Sequence, residues 1–149
     1  MEIRETTLDE LMQSERVEDL CEQFLRCSLI PEHYANGDPV TAMRNLNEAY
    51  GAVTVAVGAF DGNVCAGMAV GTLNMDIKGN CMNIYMHTIF VREEYRGGSL
   101  GGRILALAKR IAKSRGCTAM MLSAVHGSEM SRGFAKRMKQ VFDIYYGGL

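Results

Sequence analysis

The chain has only two prolines, no C-x-x-C pair, no excess charge of either sign and no run approaching 18 apolar residues. With so few prolines, no low-complexity tract and no Pro/Gly/Ser linker that could separate domains, the chain reads as one continuous unit. The 149 residues, 48% of them hydrophobic, therefore read as one domain, 1–149, large enough to bury a sizeable core. A net charge of -1, with no long run of one sign, gives no electrostatic case for nucleic acid or an anionic membrane. Five unpatterned cysteines and three histidines without ligand spacing predict reduced thiols and no metal site. The opening "MEIRETTLDE" lacks the basic and apolar regions of a signal peptide, so the expected location is cytoplasmic.

What is present alternates. "EIRETT" reads as a strand, and Leu8, Leu11, Met12, Leu20, Phe24 and Leu25 then recur at helical spacing, with a break near Ser14. Asp38 followed by Pro39 is a helix-start pair, and "VTAMRNLNEAY" continues to Gly51. "VTVAVGAF", a turn at Asp61 and Gly62, "VCAGMAVGTLN" and "CMNIYMHTIFV" make three antiparallel strands. A glycine-rich loop leads into an amphipathic helix carrying Leu100, Ile104, Leu107, Ala108 and Ile111, which ends at Gly116. "TAMMLSAV" is a further strand, "SEMSRGFAKRMK" a weaker helix and "VFDIYYG" a last strand. The order is β-α-α-β-β-β-α-β-α-β.

In "YRGGSLGGRIL" four glycines and a serine precede a helix. The first amides of a helix have no intrahelical acceptor, and the macrodipole adds partial positive charge there. Glycines allow those amides to converge on phosphate oxygens, and Arg96 adds a forked donor, so the loop suits a diphosphate. A dinucleotide fingerprint read from Gly97 meets Ser99 at its second glycine and follows an antiparallel strand. A P-loop needs Lys-Ser/Thr after its last glycine, where Arg103 and Ile104 stand.

The segment "VREEYRGGSLGGRILALAKRIA" resembles the coenzyme-A loop of the GNAT N-acetyltransferase superfamily, whose pattern is Arg or Gln, two variable residues, Gly, one variable residue, then Gly or Ala. Here it runs Arg96, Gly97, Gly98, Ser99, Leu100, Gly101, with Val91 closing the preceding strand and Ser99 standing where the family usually has glycine. The resemblance implies an α/β (α+β) fold: a mixed, mostly antiparallel central sheet of about six strands with four flanking helices. It also implies acetyl-CoA as co-substrate, with the pyrophosphate on the loop from Gly97 through Ser99, Leu100 and Gly101 to Gly102. The pantetheine arm would pair with Ile89, Phe90 and Val91, in a gap between that strand and "TAMMLSAV".

Acetyl transfer to a primary amine by direct attack then needs a base. Strand alternation puts Asn83, Tyr85, His87, Ile89 and Val91 on one face and Met82, Ile84, Met86, Thr88 and Phe90 on the other. His87 is the leading candidate and Tyr85 could orient it. His126, after the fifth strand, is a second candidate. The tyrosine that many family members use as acid is matched by Phe134, leaving Tyr145, Tyr146 or an unaided thiolate.

The segment "LIPEHYANGD" resembles the family's variable substrate-facing connection, so Glu32, His33, Tyr34 and Asp38 are candidates to receive an amine borne by a small molecule or a peptide. The family's seventh strand has no counterpart, which suggests a homodimer completed through the C-terminal strand. The alternative functions are a CoA-binding regulatory module without catalysis and an interaction protein of the same fold.

Overall fold

The computed structural model describes residues 1–27, 37–48, 54–76, 79–123, 129–136 and 138. Five strands form one sheet in chain order: β1 (Glu2–Thr6), β2 (Thr54–Asp61), β3 (Val64–Asp76), β4 (Cys81–Val91) and β5 (Cys117–Leu122). The first three pairings are antiparallel and β4 with β5 is parallel. The sheet is mixed and mostly antiparallel, as the sequence implies; the expected last strand, 141–147, lies outside the described residues.

Helices cover both faces. α1 (Leu8–Met12), α2 (Val17–Arg26) and α3 (Pro39–Glu48) pack on one side, while α4 (Leu100–Ser114) lies across all five strands on the other. α5 (Glu129–Ala135) follows β5. The break expected near Ser14 divides the first helix in two. Arg16 adopts a left-handed backbone, φ 57°, and its carbonyl accepts from the guanidinium of Arg92. Arg92 is fully buried, gives Nε to the Cys65 carbonyl at 2.8 Å and pairs with Asp19, so the end of β4 is tied to the start of α2. Asp38 caps α3, accepting from the Thr41 amide at 2.8 Å.

Two apolar layers follow. Val55, Val57, Ile84, Met86, Ile104 and Ile111 pack under α4, and Leu11, Leu20, Met43, Met68, Val70 and Phe90 pack under α1–α3. The β2–β3 turn sits one residue later than expected. Asp61 pairs with Val64 around Gly62 and Asn63, and Gly62 supplies the positive φ of 60° that such a two-residue loop needs.

A larger correction concerns β4. Val70 pairs with Thr88 but Gly71 pairs with Met86, so His87 is an extra residue opposite Val70, a β-bulge. Before it the even residues Ile84 and Met86 face α4; after it Ile89 and Val91 do, and Phe90 faces α1–α3. The single alternation read from sequence therefore fails at His87: Ile89 and Val91 do not share the face of Tyr85 and His87. Gly71 is required opposite the bulge, since a Cβ there would lie 2.7 Å from the Tyr85 carbonyl and from Met86 Sδ.

Candidate active site

The parallel pairing of β4 with β5 ends at Met86 and Leu122. Beyond it, Thr88–Val91 remain paired with β3 on one edge only among the described residues. The Arg92 amide donates to the Ala66 carbonyl at 3.0 Å, which fixes the hydrogen-bonded pairs as Ala66/Arg92, Met68/Phe90 and Val70/Thr88. Ile89 and Val91 are thus the non-bonded pairs, and their N–H and C=O groups point away from β3. The resemblance expects the pantetheine arm along Ile89, Phe90 and Val91; the register turns the backbone of Ile89 and Val91 away from β3 and that of Phe90 toward it.

After β4, Glu93–Tyr95 form a single 3-10 turn, followed by the glycine loop and α4. Gly97 has φ 88°, a conformation that disfavours a side chain, and a Cβ at Gly97, Gly98 or Gly102 would meet nothing within 4 Å. The loop is open. Ser99 occupies the N-cap position of α4 without forming a side-chain cap bond. The first-turn amides of Leu100, Gly101 and Gly102 are therefore left for an external anion, and no acid in that turn opposes one. Leu100 itself is buried and anchors the helix. These residues fit a diphosphate. Arg96 does not extend over the loop: Nε donates to the Val91 carbonyl at 2.9 Å and the guanidinium lies over the Phe90 ring.

On β4, His87 lies on the α1–α3 side, the same face as Tyr85. Their ring centroids are 4.8 Å apart, and His87 Nε2 lies 2.8 Å from Thr72 Oγ1. Asn74 donates to the same hydroxyl at 3.2 Å. The next residue, Thr88, is buried and donates to Asn47 Oδ1 at 2.9 Å, while Asn47 donates to the Met43 carbonyl, so α3 holds the bulge from above. Half-burial lowers the pKa of His87, because the imidazolium loses hydration there. A neutral imidazole is able to accept a proton.

Sequence reasoning found His87 and Tyr85, and the structure brings them together. It missed Thr72, Asn74, Asn47, Thr88 and Gly71. Thr72 and Asn74 were visible as polar residues two apart in an apolar strand, whereas nothing local marked Asn47. His126, Glu32, His33, Tyr34, Tyr145 and Tyr146 lie outside the described residues. Asp38 is described, and its carboxylate is engaged in capping α3.

Residues 15–139 match the acetyltransferase (GNAT) family. No curated protein sequence gives a significant match. Among solved structures, a ribosomal-protein-alanine N-acetyltransferase from Brucella melitensis superposes with TM-score 0.72 at 14% identity, covering 100% of both chains. An aminoglycoside acetyltransferase from an uncultured soil metagenomic sample gives 0.69 at 18%, covering 98% of each chain. Glucosamine-6-phosphate N-acetyltransferase from Arabidopsis thaliana gives 0.63 at 12%, covering 98% of this chain and 97% of that one. At these identities the likeness is one of fold. With the family match spanning most of its length, the chain belongs to the acetyltransferase (GNAT) family.

Proposed function

We propose that the protein is an acetyl-CoA-dependent N-acetyltransferase that acetylates a primary amine by direct attack in a ternary complex. The observation that carries this reading is the end of β4: the Ile89 N–H and C=O and the Val91 N–H turn away from β3 between a glycine loop suited to a diphosphate and a half-buried histidine. When bound, the thioester supplies the carbonyl to which the amine nitrogen bonds as the carbon–sulfur bond breaks. The residues of this chain do the rest. The loop amides hold the phosphates, the Ile89 and Val91 backbone aligns the arm, and a gap-facing amide donates to the carbonyl oxygen as charge develops there. His87 takes the proton of the amine, directly or through a water.

Thr72 suits that role because a hydroxyl serves either protonation state. It donates to Nε2 when that nitrogen is bare and accepts from it when protonated, so the ring keeps its orientation through the transfer. The three structural neighbours are named for three different amine substrates, which supports N-acetyl transfer as the class and selects no substrate.

Phe134, a half-buried residue of α5 without a hydroxyl where the family often has tyrosine, favours a second reading, a CoA-binding module without catalysis. Acetyl-CoA at 100 times its Kd stabilises the fold by about 2.7 kcal/mol, a clear rise in Tm. The transferase reading expects that rise together with thiol release in the presence of an amine panel. A rise without thiol release favours the module, and no rise at millimolar acetyl-CoA removes both.

A further inference from the structure

The near-zero net charge conceals a separation. Residues 1–91 hold five Lys/Arg against thirteen Asp/Glu, and residues 92–149 hold eleven against four. The fold carries this into space. α1–α3 bear Asp9, Glu10, Glu18, Asp19, Glu22 and Glu48 against Arg26 and Arg44, while α4, on the opposite face, bears four cations and no acid.

Arg103, Lys109, Arg110 and Lys113 are all exposed, and none makes an ion pair among the described residues. Elsewhere four surface arginines are matched: Arg4 with Glu10, Arg16 with Asp19, Arg44 with Asp9 and Arg115 with Glu5. Lys109 and Lys113 stand four apart, a like-charge spacing that works against the helix. The helix dipole favours a cation in the last turn only, which accounts for Lys113 and not for Lys109 or Arg103. Nor does the glycine loop account for the stripe. At 1.5 Å per residue, Lys109 and Lys113 lie about 12 and 18 Å along the axis from Gly101. That exceeds the screening length of about 8 Å at physiological salt.

We propose that the exposed face of α4 is a docking surface for an acidic carrier protein that presents its acyl group on a phosphopantetheine arm. The proposal rests on the transferase reading above and names a second acyl donor for it. The stripe starts at the loop where the phosphate end of a pantetheine arm would lie, so a partner seated on α4 has its arm beside the end of β4. His87, Thr72 and Tyr85 open toward the α1–α3 side, so a protein on α4 meets the donor end and not the acceptor. The acidic remainder of the molecule disfavours a long polyanion such as RNA, whose binding grows with the number of phosphates neutralised. In the reaction the amine nitrogen bonds to the acyl carbon, the carbon–sulfur bond breaks, the arm leaves as thiolate and the amine proton passes to His87.

The test uses an acyl carrier protein loaded with acetyl-phosphopantetheine, titrated into the full chain and followed by amide chemical shifts and by acetylation of an amine. Expected are perturbations along α4 that disappear at high salt. The K109E/R110E/K113E variant should lose carrier-dependent acetylation by about tenfold or more, while kcat/KM with acetyl-CoA, measured well below a Tm slightly lowered by acids at the helix C-terminus, stays as in the wild type. Absence of perturbation on α4, equal carrier-dependent rates in wild type and variant, or occupation of the stripe by RNA but not by the carrier would each overturn the proposal. Perturbation along α4 without turnover of either donor would uphold the docking surface and reject the transferase reading.

Discussion

Thr72 Oγ1 and His87 Nε2 lie 2.8 Å apart across the β3–β4 pair, although Thr72 is opposite Tyr85 in the register. The bulge brings them together. An extra residue at 87 places His87 and Thr88 on the same side, so one residue meets Thr72 and the next meets Asn47.

Thr72→Val keeps the shape and removes the hydroxyl. The expected loss in kcat is about tenfold, the rate equivalent of one hydrogen bond, with KM for acetyl-CoA unchanged. Thr72→Ser should restore the rate. Equal kcat in the Val variant would show that the hydroxyl does not orient the ring.

Burial holds the His87 pKa below its ordinary 6.5. As the proposed base, His87 is then competent across neutral pH, and the acid limb of kcat should fall below pH 6.5. Stability follows the same sign. The unfolded chain binds the proton more readily, so this contribution is absent above pH 6.5, grows into a penalty as pH falls from 6.5 toward the folded value and is complete below it. Titration of the His87 ring by NMR checks it; a pKa above 6.5 would contradict the prediction.

Gly71→Ala forces a Cβ to within 2.7 Å of the Tyr85 carbonyl. The strands must separate at the bulge, at a cost of about 1–3 kcal/mol in urea unfolding. Arg92→Ala should cost roughly 2–4 kcal/mol, since it leaves the Cys65 and Arg16 carbonyls without a buried donor. Wild-type stability in either variant would contradict these assignments.

Cys21 and Cys65 are buried, and burial pushes their thiols up to about 12 and about 11, whereas Cys27 is exposed. Brief alkylation of the native protein followed by mass spectrometry should label Cys27 well ahead of the other two.

Much of the fold was legible because its signals are local. Asp38-Pro39 started α3, the strand "CMNIYMHTIFV" matched β4 residue for residue, and the glycine loop met α4 at Leu100. The bulge was not legible. Tyr85, His87, Ile89 and Val91 keep a period of two in sequence whether or not a residue is inserted, and only pairing with Val70 and Gly71 shows that His87 is the extra one. Thr72 and Asn47 were missed for the same reason: each acts through a partner 15 and 41 residues away. The charge separation was present in the sequence and hidden by the net value of -1.

In the proposed reaction His87 serves as the base beside a donor site it does not build. A paired measurement on His87→Ala, acetyl-CoA affinity by calorimetry and kcat with an accepted amine, separates the two roles. Expected are unchanged affinity and a loss of about 10² to 10⁴ in kcat, the usual contribution of a general base. Wild-type turnover in the variant, with acetyl-CoA bound as before, would contradict it.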